Sequence, residues 1–197
     1  MATALITGAT KGIGKAIAEE LAKRKTDVLL IARTESLLKE IAHFLHSSHG
    51  INADYLAIDL TKEGAAKKIY DWCIEKKYNI SILINNAGYG LSGHFEKTSL
   101  EQHLDVMRVN MNAIVELCFY FLPVLRQHEK AYILNIASQA SFQAVPGLNI
   151  YAASKAFLQS FSRGLGYELR NTNVSVTVAC PGSTDTDFAN RAKVGLK

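Results

Sequence analysis

Tyr151 and Lys155 bracket the run Tyr151-Ala152-Ala153-Ser154-Lys155. On a helix that spacing puts both side chains on one face, so a phenol and an ammonium can act on one small molecule. Ser138 and Asn110 lie upstream and offer a hydroxyl and a carboxamide. Near the start, Thr7-Gly8-Ala9-Thr10-Lys11-Gly12-Ile13-Gly14 is a glycine-rich turn directly after an apolar stretch. A phosphate cradle combined with a Tyr/Lys pair suits carbonyl chemistry with a nicotinamide dinucleotide.

The cradle has a physical basis. A turn this tight needs backbone without Cβ, and the helix that follows offers free amides and a positive dipole end to a pyrophosphate. Gly8, Thr10, Lys11, Gly12, Ile13 and Gly14 are the candidate contacts. Alone such a turn is a weak signal, and its spacing departs from the general G-x-G-x-x-G dinucleotide pattern. Context strengthens it. Leu30-Ile31-Ala32-Arg33 ends the second apolar run with no acid. An acid there would bind a ribose 2′-hydroxyl, whereas an Arg accommodates a 2′-phosphate. Arg33, with Lys11 as a second cation, therefore predicts NADP(H) over NAD(H). Asp59 and Leu60 close the third apolar run, where a carboxylate can accept a hydrogen bond from an adenine amino group. Asn85-Asn86-Ala87-Gly88 closes the fourth, and small residues at Ala87 and Gly88 admit a cofactor to the backbone.

These groups need a scaffold. Strand patterns fall at Ala4–Thr7, Asp27–Ala32, Ala53–Ile58, Ser81–Asn85, Ala131–Ala137 and Ser175–Ala179. Helical patterns fall between them, at Gly12 to about Arg24, Glu35–Ser48, Glu63–Lys76, Ser99–His128 and Ile150–Asn171. Alternation of this kind implies an α/β fold with a mostly parallel sheet covered on both faces. Right-handed crossovers give a Rossmann-type, doubly wound sheet in three αβα layers, strand order 3-2-1-4-5-6. Residues 1–197 read as a single dinucleotide-binding domain containing the catalytic site. After Ala179-Cys180-Pro181-Gly182 the remaining chain is short, so a last strand is expected to be missing and the C-terminal substrate loop to be short or truncated.

With 197 residues, 48% hydrophobic and 20% charged, the chain has an ordinary globular composition. A net charge of +4 without a clustered basic patch argues against nucleic acid. Cys73, Cys118 and Cys180 are far apart, which argues against a disulfide framework or zinc site. The three histidines His43, His46 and His49 lack ligands in register, so no metal is expected. No apolar run approaches the ~20 residues of a membrane span, and the first strand leaves no room for a signal peptide. A cytoplasmic location is expected.

In register and in order, Thr7–Gly14 (T-G-x-x-x-G-x-G), Asp59, Asn85–Gly88 (N-N-A-G), Asn110, Ser138, Tyr151-x-x-x-Lys155 and Pro181-Gly182 resemble the short-chain dehydrogenase/reductase family, in its compact NAD(P)-dependent branch. The resemblance runs over essentially the whole chain. It implies an NADP-dependent oxidoreductase acting on CH-OH groups, with Tyr151 as general acid in reduction. A free phenol titrates near ~10, and lowering it by ~3 units for the reverse reaction requires ~4 kcal/mol. One cation about 4 Å away at an effective dielectric near 20 supplies about that much, and Lys155 is placed to do so. The family further implies that Lys155 bonds the nicotinamide ribose and that Ser138 holds the substrate oxygen. Asn110 would bind a water linking Lys155 to solvent. Pro181, Gly182, Thr184 and Thr186 would form the P-G-x-x-x-T element, whose last Thr orients the carboxamide; Thr184 stands where that element is more often aliphatic.

Tyr89, Gly90 and Leu91, Ala140 to Phe142, and Val145 to Leu148 are expected to line a largely apolar pocket, which favours a lipophilic ketone, aldehyde or alcohol. Reduction of 3-oxoacyl thioesters is the nearest rival. A non-catalytic dinucleotide-binding scaffold would not need Asn110, Ser138, Tyr151 and Lys155 together. A nucleotide-sugar epimerase would read T-G-x-x-G-x-x-G. The two long helical stretches, with Phe119, Phe157 and Phe161, resemble those that pair across subunits in the family, implying a homodimer or homotetramer.

Overall fold

Residues 2–182 are described by the structure, a computed structural model. Six strands make one sheet: β1 (Thr3–Thr7), β2 (Asp27–Ala32), β3 (Ala53–Ala57), β4 (Ile80–Asn85), β5 (Ala131–Ile136) and β6 (Val174–Ala179). Every neighbouring pair is parallel, in the order β3-β2-β1-β4-β5-β6. The expected doubly wound topology is therefore present, with strand ends within a residue or two of those read from the sequence.

Apolar residues along the strands divide by parity. Leu5, Leu29, Ile31, Leu83 and Ile133 enter a core on one face, while Ala4, Ile6, Val28, Leu30 and Ile84 enter another on the opposite face. A strand buried on both sides must be apolar throughout, which is why these segments read as continuous runs. Helices α1 (Gly12–Lys23) and α2 (Glu35–His49) cover the second face, through Ala18, Ala22, Leu38 and Leu45. The first is covered by α3 (Ala65–Glu75), α5 (Ala113–Leu125) and α6 (Asn149–Glu168), giving three layers.

Between Ser99 and His128 the expected single helix is interrupted. Helix α4 (Leu100–Met107) starts with a capping box between Ser99 and Gln102, then passes through a π-helical turn at Arg108–Asn112 before α5 begins. The whole stretch Leu100–Leu125 is long and apolar enough to cross a membrane by length and composition, contrary to the expectation that nothing approaches such a span. Its inner side, with Ile114, Leu117, Phe121 and Leu125, is buried in the core beneath the sheet, the position of a central layer helix.

Strand order reverses between β1 and β4, and a crevice opens beyond the carboxyl ends at such a switch point. Thr7–Gly8 and Asn85–Asn86 flank it.

Candidate active site

The glycine turn is welded to the N-N-A-G turn. The Thr7 hydroxyl accepts from the backbone N–H groups of Asn86 and Ala87, both at 3.0 Å, and donates to Ile84 O at 3.4 Å. The Asn86 amide donates to Thr7 O at 2.9 Å and Gly8 O at 3.1 Å. Gly8, at φ +68°, has no room for a side chain: a Cβ would lie 2.8 Å from Asn86 Nδ2. Gly14 is blocked by the same amide and by Gly8 O. The Asn86 amide thus ties the two turns together, and Ala87 and Gly88 beside it offer small surface.

Helix α1 begins at Gly12 with no side-chain cap and no acidic residue in its first turn. Its N-terminal amides and dipole are thereby suited to an anion, and the turn fits a dinucleotide phosphate. Thr10 and Ile13 are half-buried in this turn, whereas Lys11 and Arg33 are exposed. Asp59 accepts from Thr61 N–H at 3.0 Å, capping its own turn. The Leu60 side chain packs against the core on the α3 side. Tyr89, expected in the substrate pocket, lies within electrostatic reach of Arg33 and Asp59 as well as Asp105 and Arg108. Burial raises its pKa most, and Asp105 adds to this.

Lys155 is 4% exposed and donates to Ile136 O at 2.8 Å. A Cβ on Gly88 would stand 3.0 Å from Lys155 Nζ and 3.1 Å from Asn110 Oδ1, so this glycine makes space for both. The Asn110 side chain is held by three hydrogen bonds within the protein. Its Oδ1 accepts from Tyr89 N–H at 3.1 Å, and its Nδ2 donates to Tyr89 O and to Ser154 Oγ, both at 3.0 Å. The carboxamide is thus a clamp between the N-N-A-G turn and α6.

Tyr151 and Ser138 meet. The phenol is 8% exposed, and a hydrogen bond with Ser138 favours its ionised form. Burial is the larger influence and drives its pKa above the ordinary phenol value. The expected depression by Lys155 is therefore not the net effect. The ammonium lies 5.8 Å from the Tyr151 ring centroid, and burial pulls its own pKa down to about 8. Gly90 packs on the ring, since a Cβ there would come 3.1 Å from Tyr151 Cγ. Ser138 Oγ also accepts from Ala140 N–H at 3.1 Å, which fixes the hydroxyl at the end of β5.

Pro181 and Gly182 stand beside Ser138, with Pro181 O accepting from Gln139 N–H at 2.9 Å. Thr184 and Thr186 lie outside the described residues. Phe142, expected to line the substrate pocket, is 66% exposed.

Sequence reasoning missed a buried ladder behind the site. Asn85 Nδ2 donates to Asn135 Oδ1 at 2.8 Å, Asn135 Nδ2 to Ser162 Oγ at 2.8 Å, and Ser162 Oγ to Leu158 O at 2.6 Å. Asparagines inside apolar strands were the available signal, because buried carboxamides must find partners.

The model of the short chain dehydrogenase family matches residues 2–195. The chain is 32% identical to hydroxysteroid dehydrogenase-like protein 1 of Gallus gallus over 98% of its own length and 59% of that protein. It is 34% identical to very-long-chain 3-oxoacyl-CoA reductase of Anas platyrhynchos, over 98% of this chain and 62% of the other. The chain thus spans about three-fifths of the length of these curated relatives. A short-chain dehydrogenase from Sphingobium yanoikuyae, solved in complex with NADPH, superposes with a TM-score of 0.93 at 33% identity, covering 99% of this chain and 76% of that one.

Proposed function

We propose, proceeding from the fact that this chain belongs to the short-chain dehydrogenase/reductase family, that it interconverts a carbonyl and an alcohol on a lipophilic small molecule with NADP(H). The observation that carries this reading is the meeting of three groups: the Tyr151 phenol bonded to Ser138, with the Lys155 ammonium 5.8 Å from its ring.

A reduced nicotinamide, when bound, supplies hydride to the carbonyl carbon. Tyr151 gives its proton to the carbonyl oxygen, and burial keeps the phenol in the protonated state that this requires. Ser138 holds the same oxygen. Lys155 bonds the nicotinamide ribose and favours the phenolate left behind. In alcohol oxidation Tyr151 takes the proton instead. The turn from Gly8 to Gly14 would hold the pyrophosphate, and Arg33 with Lys11 would receive the 2′-phosphate. Asp59 would bond the adenine amino group. Thr184 and Thr186, which lie outside the described residues, would orient the carboxamide.

The apolar segments Leu91, Ala140 and Val145 to Leu148 favour bulky, uncharged substrates. A 3-oxoacyl thioester is the second reading, favoured by the similarity to the Anas platyrhynchos reductase. A homodimer or homotetramer in the cytoplasm completes the proposal. Phe119 is 74% exposed and Phe157 37% exposed, and Phe157 stacks on Phe161 with centroids 6.0 Å apart, an outward apolar surface suited to self-association.

The test is NADPH oxidation by the purified protein against ketones, steroids, diketones and 3-oxoacyl thioesters. Tyr151→Phe should bind NADPH as the parent does and lose roughly 10²- to 10⁴-fold in kcat. Equal turnover by the variant would remove Tyr151 from the acid role.

A further inference from the structure

We propose that Gln139 is a positioning residue whose carboxamide braces the Pro181–Gly182 turn against the end of β5, setting where that turn stands beside Ser138 and Tyr151. The inference rests on the function proposed above, because it concerns the coenzyme end of the same site.

Pairing between β5 and β6 continues beyond both strands. Ala137 N–H donates to Ala179 O at 2.7 Å, and Gln139 N–H donates to Pro181 O at 2.9 Å. At the next residue the contact passes from backbone to side chain. Oε1, Cδ and Nε2 of Gln139 lie 2.9, 3.0 and 3.1 Å from the point a Cβ on Gly182 would occupy. The entire amide group therefore lies against the glycine. Gly182 is not among the positive-φ residues, so its backbone would accept any L-residue and its requirement is space. The structure uses that space for Gln139.

Gln139 itself is exposed. Holding a glutamine side chain in one rotamer carries an entropy cost, and here no core packing offsets it. What offsets it is local, the contact with the turn. The stretch Ser138–Ala140 consequently serves two purposes. Its first residue presents the hydroxyl to Tyr151, and its second lies against Gly182. The spacing between acid and coenzyme site is set across adjacent residues of one chain segment.

The test compares the parent protein with Gln139→Ala, Gly182→Ala and the double variant, measuring NADPH affinity by fluorescence titration, kcat and KM on a substrate from the panel, and thermal midpoint. Gln139→Ala should keep its melting midpoint and weaken NADPH about threefold to tenfold, the span of one local coupling, with kcat changed less. Gly182→Ala should weaken NADPH to a similar degree, because its methyl displaces the carboxamide from the glycine. Adding Gln139→Ala to Gly182→Ala should then cost little more, a non-additivity that general loosening of the fold would not produce. Simply additive losses, or unchanged NADPH affinity in Gln139→Ala, would overturn the role of Gln139 and leave the proposed function standing. A parent protein that binds neither NADPH nor NADH would overturn both.

Discussion

The two faces of the sheet are made of different material. Beneath α1 and α2 every buried member of the core is aliphatic, from Ala4 and Ile6 through Val28 and Leu30 to Leu38 and Leu45. Beneath α3, α5 and α6 the apolar cluster shares its interior with Asn85, Asn110, Asn135, Ser154, Lys155 and Ser162, each 4% exposed or less. The first face needs only volume and period, and cores of that kind tolerate exchange. The second needs matched partners, since a buried polar group left unpaired costs about 1–3 kcal/mol. The chain thus keeps its chemistry on the side where geometry is specified one hydrogen bond at a time.

Cutting into the aliphatic face should give the largest loss of stability and the least kinetic consequence. Leu38, fully buried in α2, should cost about 2–5 kcal/mol when changed to Ala. Urea unfolding would show it, while kcat per folded molecule at low temperature stays at the parent value. A fall in kcat matching the loss of stability would mean that the two faces are not functionally separate.

On the polar face the next largest effect is a titration. The folded pKa of Lys155 is about 8, against an ordinary 10.5. Between those values the unfolded chain binds more protons at this site, so folding stability contributed by Lys155 rises with pH across the window. The penalty is complete below about pH 8 and amounts to about 3 kcal/mol. Burial also raises the thiols Cys73 and Cys118 to about 12, which acts in the opposite sense at alkaline pH, so the measurement is a difference. The stability of the parent relative to Lys155→Met should increase from pH 7.5 to pH 9.5 (about two units across the window). A flat difference would mean that the ammonium is not desolvated.

Ser162→Ala should do less, about 1–3 kcal/mol, by orphaning Asn135 Nδ2. Unlike Leu38→Ala it should also lower kcat, because Ser162 fixes the helix that carries Tyr151 and Lys155. Stability and turnover measured together decide whether this ladder positions α6 or merely fills space.

What could be read without coordinates follows the same division. The strand order and the covered faces were visible because buried parallel strands are apolar from end to end, as in Asp27–Ala32. Helix α1 was visible through its period and its glycine entry. The π-helical turn at Arg108–Asn112 was not, because it depends on Asn110 bonding Tyr89 and Ser154, residues distant in sequence. Asn85 was read only as part of the N-N-A-G turn, and its ladder to Asn135 and Ser162 was missed because the partners lie far apart in sequence. A pairwise Coulomb argument on Tyr151 omits burial, which in the chain on its own exceeds the hydrogen bond that opposes it.

The smallest expected effect belongs to the end of the aliphatic face, where β2 delivers Arg33 to the surface. The side chain is exposed and takes no part in either core, so Arg33→Asp should leave the thermal midpoint where it is. A guanidinium receives a 2′-phosphate, whereas a carboxylate repels it and can bond a free 2′-hydroxyl. The NADP/NAD ratio of kcat/KM should therefore fall by about tenfold or more, equivalent to roughly 1.4 kcal/mol. Because Arg33 also influences the Tyr89 phenol, Tyr89→Phe is the control, and it should leave the ratio unchanged. If Tyr89→Phe shifts the ratio and Arg33→Asp does not, coenzyme choice is made by the turn after β4, and the aliphatic face contributes scaffold alone.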